Sequence, residues 1–151
     1  IKCRCVRCRE IKGESYDPDS TKLEVLEFDS SGGKEFFLSY NDQERDSLCA
    51  LMRLRFPSCY LEGKSHFIPE LEGTAIIREL HTYGQQVKIG KDKGKNASQH
   101  AGLGTRLLKE GEEIAKKAGF KKIAVISGIG VRGYYRKRGY KLEGTYMIKA
   151  L

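Results

Sequence analysis

The sequence predicts a mixed α/β domain: a mostly antiparallel sheet flanked by helices, behind a cysteine-rich N-terminal segment. Three patterns predict it. The first half carries successive apolar-rich runs separated by turn residues, which is the signature of consecutive strands. The second half opens a long amphipathic stretch at Gly102-Leu103-Gly104, with Leu103, Leu107, Leu108, Ile114, Ala115 and Ala118 on one stripe of a 3.6-residue repeat. A short unbroken apolar run, Lys122-Ile123-Ala124-Val125-Ile126-Ser127, then follows, as in a strand buried on both faces.

The elements follow in chain order. Residues 1–12 alternate cysteine or apolar residues with basic ones, which suits either an extended strand edge or a metal knuckle. Cys3, Cys5 and Cys8 form C-x-C-x2-C beside Arg4, Arg7 and Arg9, and nearby cations favour the thiolate that binds zinc. Three thiolates do not close a tetrahedral site. A fourth ligand would be Cys59, His66 or a residue upstream of this chain. Cys49, inside Leu48-Cys49-Ala50-Leu51-Met52, reads as core.

Leu23–Phe28 reads as a strand, Ser30-Ser31-Gly32-Gly33 as a turn and Glu35–Tyr40 as the next strand, with Asn41-Asp42 opening another turn. Ser47–Phe56 is a third strand stopped by Pro57, so a meander is expected. After a loop at Leu61–Lys64, the middle of Gly73–Gly84 reads as a central strand, Ile76–Thr82. Lys88–Ser98 reads as a flexible basic loop. The long helix should end at Gly119, a C′ glycine. Beyond the buried strand, Gly128-Ile129-Gly130 is a turn, and Val131–Arg138 a short basic helix closed by Gly139. Tyr140–Ile148 is a last strand broken by Gly144.

One domain suits 151 residues, with residues 1–20 as a cysteine-rich metal-binding segment and 21–151 as the globular body. The charge of +8 favours a polyanionic partner, either nucleic acid or a phosphorylated cofactor. No apolar run approaches a membrane span and no secretory signal is present, so no membrane partner is expected. Five cysteines, three of them crowded at the start, fit a reducing cytoplasmic setting better than a disulfide framework. The start at Ile1 reads as that of a fragment.

A helix opened by Gly-x-Gly leaves its first N–H groups unpaired at the positive end of the helix dipole, and glycine lets a phosphate come close. The alternative is a turn that simply needs glycine. Gln99-x-x-Gly102-x-Gly104 lies between a strand and a helix, with Tyr135-Arg136-Lys137-Arg138-Gly139-Tyr140 downstream. The pair resembles the GNAT acetyltransferases, whose Q/R-x-x-G-x-G/A signature cradles the acetyl-coenzyme A pyrophosphate. A wider set is similar to the acetyltransferase half of the Elongator catalytic-subunit family: Cys3-Arg4-Cys5-Val6-Arg7, Phe37-Leu38-Ser39-Tyr40, Arg78-Glu79-Leu80-His81 and Ile123–Gly128.

That resemblance implies a GNAT acyltransferase fold and a C-terminal half of a tRNA uridine(34) acetyltransferase, which uses acetyl-coenzyme A to install a carboxymethyl group at C5 of the wobble uridine. The family's upstream radical S-adenosylmethionine domain holds a 4Fe-4S cluster and S-adenosylmethionine through C-x3-C-x2-C, a motif these 151 residues do not contain. Expected partners are tRNA, that upstream domain and either a second copy of the chain or Elongator-like subunits. The resemblance implies that Gln99, Gly102, Leu103, Gly104 and Thr105 hold the pyrophosphate, with Glu79, Leu80, His81 and Thr82 beside the pantetheine arm, pairing with its amides as a strand would. Tyr135, with Tyr134 next to it, implies a hydroxyl near the coenzyme sulfur as proton donor or, alternatively, an aromatic wedge. Glu79 and His81 are the base candidates, although either side chain could be structural.

Lys2, Arg4, Arg7, Arg9 and Lys12, the Lys88–Lys95 loop, and Arg132, Arg136, Lys137 and Arg138 are the basic groups available to RNA phosphates, the last group lying beside the coenzyme motif and able to serve that ligand instead. Two other readings stay open: an N-acetyltransferase of protein lysine (histone) or small amines, and a zinc-stabilised RNA-binding module with an inactive acetyltransferase site.

Overall fold

The computed structural model describes residues 3–86 and 102–151. In order, the elements are α1 (Val6–Arg9), β1 (Ser15–Tyr16), β2 (Thr21–Ser30), β3 (Gly33–Asp42), β4 (Ser47–Phe56), α2 (Ser58–Leu61), β5 (Thr74–Thr82), β6 (Gln85–Gln86), α3 (Leu103–Lys117), β7 (Lys122–Ile126), α4 (Arg132–Arg136), β8 (Lys141–Glu143) and β9 (Tyr146–Ala150). Seven strands form one sheet in the order β2-β3-β4-β5-β7-β9-β8, and β1 pairs with β6 beside it. The mixed, mostly antiparallel sheet with helices is the expected fold class. No helix among the described residues is long and apolar enough to cross a membrane.

Strands β2 to β5 are the expected meander. The β2–β3 connection is a two-residue turn in which Ser31 and Gly32 both have positive φ, 48° and 69°, the geometry that matches the twist of a hairpin. Asn41 and Asp42, expected to open a turn, instead finish β3, paired with Leu48 and Ser47. The chain reverses one step later, at Gln43–Asp46, where the Asp42 carboxylate accepts the N–H groups of Glu44 and Arg45. The last strand of the expectation is a hairpin, β8 and β9, because Gly144 takes φ +57° and turns the chain back.

Of residues 3–12, only Glu10 and Ile11 meet a strand edge, through a parallel bridge to Leu48 of β4. Cys5 caps a single helical turn, α1, and Ile11 donates its N–H to the Leu48 carbonyl at 3.0 Å. Ile11 and Tyr16, both nearly fully buried, join the main core, so the segment is continuous with the body.

α3 crosses β3, β4 and β5 on one face of the sheet. Its buried stripe is Leu103, Gly104, Leu107, Leu108, Gly111 and Ala115. Gly111 replaces Ala118 in that stripe because the Met52 side chain fills the space its Cβ would take, 2.3 Å from the Met52 Cε. The helix ends in a Schellman closure: Gly119 (φ +93°) donates to Lys116 O at 3.0 Å and Phe120 to Ala115 O at 3.1 Å. The opposite face carries a smaller core of Leu71, Ala124 and Ile148 under the 62–73 loop.

Two departures from regularity position the site. β5 and β7, the parallel pair, match only from Thr74/Lys122 to Ile77/Val125. Beyond Ile77, β5 stays paired with β4 but no strand among the described residues pairs with its other edge. At that point the register with β4 slips, Arg53 facing Glu79 and Leu54 facing Ile77, so Arg78 is an extra residue in a β-bulge.

Candidate functional site

The parting of β5 and β7 leaves a cleft of about 520 Å3 on the α3 face. Its walls are Leu80 and Thr82 of β5, Gly102, Gly104 and Thr105 at the start of α3, and Val131, Tyr134, Tyr135 and Arg138 around α4. Alternation along β5 selects Leu80 and Thr82, which are paired with Met52 and Ala50 on the α3 side.

α3 starts at Gly102 with no side-chain cap and no acidic residue in its first turn. The first N–H groups to close the helix are those of Thr105 and Arg106, both onto Gly102 O, so the positive end of the dipole is left to the cleft. Gly104 permits close approach: a Cβ there would lie 3.0 Å from Tyr134 Oη and 3.4 Å from Thr82 Cγ2. Leu103, by contrast, sends its side chain into the core and offers the cleft only backbone.

Arg138 adds a positive charge at this point. Its guanidinium donates to Thr105 Oγ1 at 2.7 and 3.1 Å and to the Tyr134 carbonyl at 2.7 Å, and lies 3.5 Å over the Tyr134 ring. These contacts fix the guanidinium beside the helix N-terminus, where an anion would meet both. Arg138 belongs to the basic run that the sequence offers either to RNA phosphates or to the coenzyme beside it, and its bonds to Thr105 place it at the cleft.

Tyr135 is almost fully buried, with its ring edge-on to Tyr134 (5.2 Å, 90°) and to Tyr140 (5.5 Å, 69°). Burial raises its hydroxyl above the ordinary tyrosine range, with the neighbouring Tyr134 adding to the shift. It therefore remains protonated at neutral pH. At the end of β7, Ser127 Oγ is buried without a hydrogen-bond partner among the described residues.

Glu79 and His81 do not line this cleft. The same alternation sends both to the other face, where His81 Nε2 lies 3.2 Å from Glu79 Oε1 and Arg53 lies 3.8 Å from Glu79 Oε2. The bulge brings Arg78 to that face as well. There Glu35, its side chain only 2% exposed, sits among Arg53 (3.0 Å), Arg55 (3.4 Å) and Arg78. Burial alone would raise the Glu35 carboxyl, but hydrogen bonds from Arg53 and Arg78 outweigh it and hold it below its usual range. Nothing in the sequence pattern marked Glu35 for this role, since its partners come from two other strands, Arg53 and Arg55 on β4 and Arg78 on β5.

The three N-terminal cysteines are exposed and their sulfurs lie within 4.8 Å of one another. A hydrogen bond from the Cys8 backbone, then contacts with the Cys3 and Cys8 thiols, lower the Cys5 thiol, while contact with Cys5 and Cys3 pushes Cys8 up to about 11. Three thiols this close fit one thiophilic cation at Zn–S distances of about 2.3 Å. Among the described residues neither Cys59 nor His66 joins them. Gln99 and the Lys88–Ser98 loop lie outside the described residues.

No family model matches the chain. It is 44% identical over 159 residues to the tRNA uridine(34) acetyltransferase of Methanocaldococcus infernus, covering 100% of this chain and 29% of that protein. It is 46% identical to the protein of the same name from Methanocaldococcus jannaschii (28% of its length) and 44% identical to Elongator complex protein 3 of Danio rerio (27% of its length). Among solved structures, the archaeal Methanocaldococcus infernus Elp3 with an N-terminal deletion superposes with a TM-score of 0.77 at 43% identity, over 99% of this chain and 35% of that one. The chain thus spans under a third of the length of these curated relatives.

Proposed function

This chain belongs, as one part of a longer architecture, to the family of tRNA uridine(34) acetyltransferases and Elongator complex protein 3, and we propose that it is the acetyl-coenzyme A-binding acyltransferase domain of a wobble-uridine carboxymethylating enzyme. The observation that carries the reading is the cleft where β5 leaves β7, walled by an uncapped helix N-terminus and a fixed guanidinium.

The cleft fits the cofactor, since the space a Cβ at Gly104 would fill is part of the cradle. Acetyl-coenzyme A supplies an acetyl group activated as a thioester. The first N–H groups of α3 and the Arg138 guanidinium bind its pyrophosphate, with Gln99 shaping the loop before them. The free edge of β5, Glu79–Thr82, offers backbone groups to the pantetheine amides. Tyr135 Oη holds a proton within the cleft for a departing sulfur. Through the gap between the strands, Glu79 and His81 face the acceptor side, where either can orient water or accept a proton.

tRNA is the proposed acceptor-bearing partner. The exposed cations Arg4, just before α1, and Arg7 within it, with Lys137, are its phosphate contacts. Cys3, Cys5 and Cys8 hold a zinc ion that braces the N-terminal segment. The 4Fe-4S cluster and S-adenosylmethionine belong to the upstream domain of the longer relatives, and further copies or Elongator-like subunits are its assembly partners.

Calorimetric titration with a non-hydrolysable acetyl-coenzyme A analogue, with and without tRNA, tests the reading. The wild type binds the analogue. Arg138→Gln weakens it by about tenfold or more, as loss of a charge-assisted contact to phosphate requires, with the unfolding midpoint serving as a control. A wild type that does not bind, or a variant that binds equally well, overturns the cofactor site. Turnover stimulated equally by any amine in place of tRNA overturns the acceptor.

A further inference from the structure

A second cavity, about 480 Å3, opens on the face opposite the coenzyme cleft, between the β2–β3 turn, the 63–72 loop, the middle of β5, the end of β7 and the start of β9. Its volume is within the range of small-ligand sites. We propose that it receives one unstacked nucleotide of RNA, with the base on the Phe67 ring and the phosphate at Arg78. The inference rests on the acyltransferase reading and adds to it the place where the acceptor is held.

Phe67 is 89% exposed, an uncommon position for a phenylalanine ring. It lies stacked on His66, centroids 4.8 Å apart and planes 19° from parallel. That pair is held in place from behind. His66 donates its backbone N–H to Glu72 Oε2 at 2.7 Å, and Ile68 donates its N–H to His66 Nδ1 at 3.0 Å. The rim therefore presents an exposed flat ring backed on one side by a held imidazole, with its other face open to stack on an unpaired base. Ile126, 59% exposed, and Tyr146 contribute apolar surface within the cavity.

Charge sets the rest. Arg55 and Arg78 line the cavity, and Arg53 stands behind them. Glu35 and Glu79 pair with these three guanidiniums, and the Glu72 carboxylate stands at the His66 N–H. Arg55 is tied to the Ser30 and Ser31 carbonyls, whereas Arg78 meets Glu35 through Nη1, keeps 45% of its side chain exposed and has further N–H groups to offer a phosphate. An exposed guanidinium attracts a phosphate and repels the ammonium of a lysine. It also reaches Ile77 and Arg78, where β5 leaves β7. A base held there has one edge toward the gap between the strands, with the coenzyme cleft on the far side.

The test uses the whole chain and a synthetic anticodon stem-loop carrying a single 5-bromouridine in its loop. Phe67→Ala alters only an exposed ring and leaves the core intact. It is expected to weaken stem-loop binding by about tenfold or more, to leave coenzyme-analogue affinity unchanged, and to be rescued by Phe67→Trp. Irradiated wild type is expected to cross-link within residues 66–67. An abasic site in place of that uridine should cost the wild type what Phe67→Ala costs, and cost the variant nothing more. Equal binding by wild type and Phe67→Ala, cross-links elsewhere, or no stem-loop binding while the coenzyme analogue binds overturns this site and leaves the cofactor reading intact. A chain that binds no coenzyme analogue fails the earlier reading instead.

Discussion

At the scale of single residues, chemistry here follows from neighbours more than from residue type. Arg138 and Arg136 stand two apart in one basic run, yet Arg138 is half-buried and bonds Thr105 while Arg136 is exposed. Cys5 and Cys8 show the same effect in titration. Hydrogen bonds to Cys5 favour its thiolate, and that thiolate, with Cys3, opposes ionisation of Cys8. A thiol reacts as its thiolate. In the metal-free protein at pH 8, Cys5 has more thiolate than an ordinary cysteine, while Cys8, pushed up to about 11, has almost none. Iodoacetamide should therefore label Cys5 first and Cys8 last, followed by peptide mass spectrometry. One equivalent of zinc should protect all three together. Labelling at equal rates would show that the thiols do not share a site.

Elements were legible where a long pattern repeated. The strands β2 to β5 announce themselves by turn residues and apolar runs of about ten residues each, and α3 by a stripe sustained over four turns. Short elements were not. α1 and α2 have four residues each, fewer than the hydrophobic period can define, and α2 at Ser58–Leu61 follows from the Pro57 break alone. The bulge at Arg78 left no trace either, since β5 reads as continuous strand, and with it went the placement of Arg78 and Glu79 on one face. The Gly-x-Gly motif gave the cleft its floor in advance, while the second cavity needs a loop and parts of several strands that only folding brings together.

Gly111 illustrates how an element is tuned by its partner. A glycine in mid-helix costs about 1 kcal/mol relative to alanine, and here the Met52 methyl uses the vacated space. Gly111→Ala should be close to neutral, because the flexible end of Met52 can move aside while the helix gains propensity. Gly111→Val forces a branched side chain against Met52 and Leu54 and should cost about 2 kcal/mol, read from urea midpoints. A valine variant as stable as the wild type would mean that α3 does not lie on β4 as closely as described.

The whole molecule is a sheet with two unlike sides, joined at the place where two strands part. On one side, helices α3 and α4 frame the cleft proposed for the coenzyme; on the other, arginines surround a buried glutamate. The parted strands also bear on folding. A cofactor that completes the β5 edge is held by the native sheet and by nothing in the unfolded chain, so occupancy and folding form one linked equilibrium. At a hundredfold excess over its dissociation constant such a ligand adds about 2.7 kcal/mol to stability. Backbone amides of residues 78–82 should then exchange with deuterium much more slowly in its presence, while those at the β2 edge keep their rate. Slowing spread evenly over the sheet would assign the effect to global stabilisation alone. If the proposed acetyl-coenzyme A binds there, the ligand completes the fold, and the domain's stability in a cell would track the supply of activated acetyl groups.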